Sequence, residues 1–158
     1  MAPPLLVDLS KLDLGRVQYT LDDIRAANPH RFEFEQLSAI VHMDPAAGEI
    51  VARRDVRPDE FWVRGHIPGR PLMPGVLMIE AAAQMSSFYY KVVQTEDKRF
   101  LGFGGVEGVK FRGQVVPGDT LILLGKVVEI RNRRTIFDTQ AVVGEKLVYE
   151  GRIIGVPL

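Results

Sequence analysis

The chain has 158 residues with 20 basic and 20 acidic side chains, so its net charge is zero and nothing in it suggests a nucleic-acid or other polyanionic partner. The length suits a single domain, residues 1–158, able to bury a real core. Cysteine is absent, which excludes disulfide and thiol chemistry and fits a cytoplasmic setting, and the three scattered histidines make no metal-ligand pattern.

Residues Met1–Gln18 mix apolar and polar side chains around early prolines and read as an extended arm. They hold no basic region followed by an apolar run, so no signal peptide is expected. Tyr19 is a candidate cover for a surface the sequence does not identify. Thr20-Leu21-Asp22-Asp23 reads as a capping box opening a short helix to about Ala27, which Asn28-Pro29 ends. His30 follows, read as a structural hydrogen-bonding residue at a helix end or loop. Phe34–Met43 reads as a strand, Asp44–Gly48 as its turn and Glu49–Val56 as the return strand. His42 alternates with apolar neighbours there and reads as a surface or dimer-contact residue. Pro58-Asp59-Glu60 then punctuates the chain before Phe61-Trp62-Val63.

The stretch Arg64–Val93 organises the rest. Pro68, Pro71 and Pro74 forbid helix through a loop that carries His66. From Val76 to Val93 there is neither proline nor glycine, and Pro74 suits a first helical position. The run is apolar on nearly all sides, which predicts a helix buried in a core. Glu80, Gln84 and Ser86-Ser87 interrupt it too often for a membrane span. An unpaired carboxylate in such a helix favours its neutral, proton-bearing form, and Gln84 lies one turn on, within reach of Glu80. The helix start offers backbone N–H groups, that of Gly75 among them, to an oxygen carrying negative charge. Imidazole, carboxylic acid and oxyanion donors together make an acid–base site.

After the helix, Thr95–Arg99 is a polar connector. Phe100–Phe111 contains Gly102, Gly104, Gly105 and Gly108, and reads as a strand with bulges or a close neighbour. It lacks the register of a nucleotide-binding loop. Pro117-Gly118-Asp119 is a turn. Leu121–Ile130, Thr135–Val143 and Leu147–Val156 read as three strands, with turns at Arg131–Arg134 and Gly144–Lys146. One long helix and five to seven antiparallel strands give an α+β domain.

Residues 66–84, HIPGRPLMPGVLMIEAAAQ, resemble the active-site pattern HFPGxPxMPGVLxxEAxAQ of the FabZ-type 3-hydroxyacyl-acyl-carrier-protein dehydratases, departing at Ile67 where Phe is usual. Pro29-His30-Arg31 resembles a PHR element near the start of these enzymes. Phe61-Trp62 and Gly65-His66 match an aromatic pair followed by Gly-His. Residues 109–119 resemble a VKFRxxVxPGD segment. The resemblance implies a hot-dog fold, in which a curved antiparallel sheet wraps a long central helix. It also implies a homodimer whose active sites are shared between subunits, often assembled in this family as a hexamer, a trimer of dimers.

For function it implies dehydration of (3R)-3-hydroxyacyl-acyl carrier protein to the trans-2-enoyl thioester. His66 and Glu80 would be catalytic. Pro74, Gly75 and Val76 would form the oxyanion and substrate-binding helix start, with Gln84 supporting Glu80. Met73, Val76, Leu77 and Ile79 would line the acyl tunnel, with Phe100 or Phe103 as its gate. Lys110 and Arg112, or the basic turn Arg131, Arg133 and Arg134, would meet an acidic carrier protein; the turn also reads as a solvated hairpin tip. No cofactor or metal is implied. Glutamate rather than aspartate at position 80 points to a plain dehydratase rather than one that also isomerises the double bond. Two other readings stay open at this level: a thioesterase on the same fold, and a non-catalytic acyl-thioester-binding module.

Overall fold

The computed structural model describes residues 2–158; Met1, the first residue of the expected arm, lies outside them. Its frame is a six-stranded sheet in the order β1-β2-β4-β5-β6-β3. The strands are β1 (Ala39–Asp44), β2 (Glu49–Asp55), β3 (Leu101–Phe111), β4 (Thr120–Arg131), β5 (Arg134–Val143) and β6 (Lys146–Pro157). Every neighbouring pair is antiparallel. Helices α1 (Leu21–Ala27) and α2 (Gly75–Val93) complete the fold. The α+β expectation therefore holds, with the long helix against an antiparallel sheet.

Helix α2 begins at the glycine after Pro74 and runs to Val93, as the proline- and glycine-free stretch predicts. It lies across the sheet between β2 and β3, carrying the chain from one side of the sheet to the far edge. Ala81, Ala82, Met85 and Phe88 are almost wholly buried against Ile50, Leu121, Leu123 and Tyr149. Each large side chain so buried contributes about 1.5–3 kcal/mol. The helix comes close because β4 has glycine where it crosses. A Cβ on Gly125 would sit 2.9 Å from the Met85 side chain.

The burial of α2 is not uniform, which corrects the expectation of a helix enclosed on all sides. Val76, Ile79, Glu80 and Ala83 are less than fully buried. Their spacing of three and four residues puts them on one face of the helix. Met73 and Leu77, expected to line a tunnel, are buried in the core, whereas Val76 is 66% exposed.

The arm covers the other face of the sheet. Val7 is buried there with Val41, Val51, Ile122 and Leu124, and Leu6, Leu9, Leu12 and Leu14 pack beside it. The arm is not wholly extended, since Leu9–Lys11 forms one 3-10 turn capped by Asp8. Tyr19 packs edge-on against Phe88 of α2, with ring centroids 5.1 Å apart. It also bridges to Ile40, so the outer edge of β1 is partly covered. The opposite edge strand, β3, has exposed Phe103, Val106 and Phe111. Its ladder with β6 shifts register twice, in keeping with the glycine-rich reading.

Two local expectations differ in detail. The Thr20–Asp23 capping box forms with both reciprocal hydrogen bonds. Phe34–Ser38, however, is not strand: β1 starts at Ala39, and Phe32–Phe34 is a 3-10 turn. Phe32 takes a positive φ of 59°, which breaks an extended run. The backbone groups of Phe34 and Gln36 then bond a side chain of α2 instead of a ladder partner.

The segment leading to the histidine loop is fixed by an ion pair. Arg54 and Glu60 are joined with 6% side-chain exposure each. Glu60 also accepts the Arg57 N–H at 3.0 Å. Glu60→Ala would leave a buried guanidinium without its partner, and urea unfolding should show a loss of about 3 kcal/mol. Wild-type stability in that variant would mean the pair holds nothing.

Candidate active site

His66 sits in a run of turns after Trp62. Trp62 is buried, and its carbonyl accepts the backbone N–H of His66 at 2.7 Å and of Gly65 at 3.2 Å. Met73 N–H donates to Val115 O at 2.8 Å and ties the end of the loop to the segment after β3. Ile67 holds φ at +60°, an unfavourable conformation for a β-branched side chain. The strain lies directly beside the imidazole.

The ring of His66 is oriented by one contact. Nδ1 lies 2.6 Å from Leu72 O. A carbonyl only accepts, so Nδ1 carries the proton and the neutral ring has its lone pair on Nε2. His66 is exposed, so Nε2 is presented outwards as a base.

Glu80 lies on the open stripe of α2, with its side chain 21% exposed. The expected buried carboxylate is thus partly open rather than enclosed. Gln84 Nε2 donates to Glu80 Oε1 at 2.9 Å, the i,i+4 contact the spacing predicts. Gln84 also donates to Phe34 O at 2.6 Å and accepts the Gln36 N–H at 3.0 Å. The Gln36 N–H fixes which end of the amide is oxygen, so only N–H can face Glu80. Asn28 Nδ2 donates to Gln84 O at 3.0 Å, clasping the loop after α1 to the same turn of α2.

That loop brings in a residue the sequence reading assigned only to a structural role. His30 Nε2 lies 3.6 Å from Glu80 Oε1. Both residues line a cavity of about 60 Å³, together with Phe100 and Phe103. Only the Pro29-His30-Arg31 motif could have signalled this, and nothing in the spacing joins positions 30 and 80. His66 is not among the residues lining this cavity. The structure thus brings Gln84, His30, Phe100 and Phe103 to Glu80 and leaves His66 outside. Larger surface grooves, about 520 Å³ beside Arg54 and about 560 Å³ beside the arm, include neither Glu80 nor His66.

At the start of α2, Pro74 occupies the cap position with no side-chain capping bond. The first N–H groups of a helix lack intrahelical partners. Gly75 lets the exposed Phe111 ring lie close to the helix start, because a Cβ there would sit 2.9 Å from the ring and push it aside. The expected docking residues differ from one another. Lys110 is exposed, whereas Arg112 donates to Glu150 at 2.7 Å. In the basic turn, Arg131 and Arg134 both pair with Glu129, at 2.8 and 3.0 Å, which favours the solvated hairpin tip. His42 faces Glu49 across the β1–β2 hairpin at 3.4 Å.

A family model described as the FabA-like domain matches residues 28–152, a span that holds the His30 loop, the His66 loop and Glu80. The chain belongs to the FabA-like domain family. Two relatives are named 3-hydroxyacyl-[acyl-carrier-protein] dehydratase FabZ. That of Clostridium kluyveri is 33% identical over 138 residues, covering 87% of this chain and 95% of its own. That of Moorella thermoacetica is 35% identical over 131 residues, covering 83% and 91%. Among solved structures, the dehydratase heterocomplex ApeI:P from Xenorhabdus doucetiae superposes with a TM-score of 0.74 at 14% identity, over 85% of this chain and 90% of that one. A hypothetical thioesterase with coenzyme A from Streptococcus pneumoniae superposes with a TM-score of 0.60 at 12% identity, over 87% and 92%. Those two likenesses show the fold alone. This FabA-like domain is a hot-dog fold, its central helix packed on an open six-stranded antiparallel sheet. Among the described residues no helix is long and apolar enough to cross a membrane.

Proposed function

We propose that this chain removes water from (3R)-3-hydroxyacyl-acyl carrier protein to give the trans-2-enoyl thioester in fatty-acid or related lipid biosynthesis, with His66 as base and Glu80 as acid. The observation that carries the chemistry is the His66 ring, whose Nδ1–H is committed to Leu72 O and whose Nε2 is open. Nε2 takes the C2 proton. The negative charge that develops on the thioester oxygen meets the N–H groups of Gly75 and Val76 at the helix start. The C3–O bond breaks, Glu80 gives its proton to the departing hydroxyl, and water leaves as C2=C3 forms. Each turnover ends with His66 protonated and Glu80 ionised, and solvent returns the proton.

One chain does not bring the two groups into one pocket, and its 60 Å³ cavity at Glu80 is small beside the roughly 300 Å³ or more that enclosed ligands need. The reading that answers both points is a homodimer with the site shared between subunits. The exposed edge and apolar side chains of β3, and the open stripe of α2, are surfaces that a second copy would cover. Phe100 or Phe103 would gate the tunnel from beside Glu80. A hexamer built from three such dimers is the larger assembly this reading allows.

The reaction is tested by hydration of a crotonyl thioester, which removes the enoyl absorbance reversibly. A thioesterase would release free thiol instead, and a binding module would do neither. Docking has its own test. Acyl carrier proteins are acidic, so exposed Lys110 belongs to a rim that attracts them. Lys110→Glu should raise KM for carrier-protein substrates and leave N-acetylcysteamine thioesters unchanged. Equal loss on both substrates would remove Lys110 from the docking surface.

A further inference from the structure

The pair of donors facing Glu80 has a consequence for which of its oxygens is the acid. Gln84 holds Oε1 at 2.9 Å by N–H, and the Gln36 N–H prevents the amide from turning over. His30 Nε2 faces the same oxygen at 3.6 Å, longer than the about 2.7–3.2 Å of a formed hydrogen bond. Its other ring nitrogen, Nδ1, is buried with no hydrogen-bond partner. A proton on Nδ1 would bury a donor without an acceptor and turn a lone pair or a second N–H towards Glu80. The neutral ring with its proton on Nε2 avoids the buried orphan donor and points N–H at the carboxyl.

We infer that His30 is a positioning residue: with Gln84 it holds Glu80 Oε1 as an acceptor, so the transferable proton resides on Oε2 and is aimed at the substrate hydroxyl. The contact closes to hydrogen-bond length when substrate fills the pocket, as catalytic hydrogen bonds do on forming the complex. His30 is not itself the base, because its Nε2 faces Glu80 and its Nδ1 is sealed. Its tautomer is the reverse of that of His66, where Nδ1 carries the proton, and the two imidazoles have opposite duties.

The inference rests on Glu80 as the acid, and the test separates the two. His30→Gln keeps an N–H near the place of Nε2, whereas His30→Leu fills the space without a donor. On a 3-hydroxyacyl-acyl-carrier-protein substrate, the Leu variant should lose roughly 10- to 100-fold in kcat with KM little changed, as misplacement of a reacting group does. The Gln variant should stay within about threefold of wild type, since the donor is retained. The 15N spectrum of histidine-labelled wild-type protein, with the His30 signals identified by their loss in the Gln variant, should show Nε2 protonated and Nδ1 bare. A proton on Nδ1 overturns the inference, even if the Leu variant fails to fold. So does a Leu variant with full turnover, or a Gln variant as impaired as Leu. If Glu80→Gln is dead while His30→Leu is fully active, only the His30 role falls. If Glu80→Gln is fully active, the dehydratase assignment of Glu80 falls first.

Discussion

Glu80→Gln should lower kcat by about 10²- to 10⁴-fold, and His66→Ala should do the same, as expected for loss of a general acid or base. Gln at position 80 is nearly isosteric and can still present an oxygen to the Gln84 N–H, so the clasp among Asn28, Phe34, Gln36 and Gln84 stays closed. What it lacks is a proton to give. Ala at position 66 removes the ring but leaves the backbone bond to Trp62 O, so the loop keeps its turn. Circular dichroism and gel filtration should therefore match wild type for both variants. The losses should not multiply in the double variant, because an acid and a base serving one elimination act as a unit. A single variant with wild-type turnover on a 3-hydroxyacyl thioester would remove that residue from the mechanism.

Mixing the two inactive variants restores activity if the site is shared between subunits. Unfolded and refolded together in equal amounts, they pair at random and half the dimers are mixed. A mixed dimer has one site with both substitutions and one with neither, so activity returns to about a quarter of wild type. Native mass spectrometry would verify the exchange. Exchange without recovered activity would place His66 and Glu80 in one chain. The structure gives the experiment its point, because the cavity at Glu80 contains His30 and not His66.

Much of this protein is legible along the chain. The absence of proline and glycine after Gly75 set the limits of α2, and the capping box set the start of α1. Alternation and turn residues gave β4, β5 and β6 to within a residue or two. These are local effects, since φ restriction, capping and period act over a few neighbouring residues. The Gln84–Glu80 contact belongs with them, because i,i+4 adjacency follows from helix geometry alone. The pattern from His66 to Gln84 also carried the family resemblance. The tertiary structure decided what local rules do not reach. Phe34–Ser38 left the strand because Gln84, some fifty positions away, takes its backbone groups. The arm became the cover of the second sheet face. The glycine-rich strand became an open edge because the crossover of α2 delivers it beside β6. His30 came to face Glu80 because Asn28 and Gln84 fasten one loop to one turn of helix. Such meetings depend on how whole elements dock, and docking is set by the shape of buried surfaces that no short stretch of sequence contains.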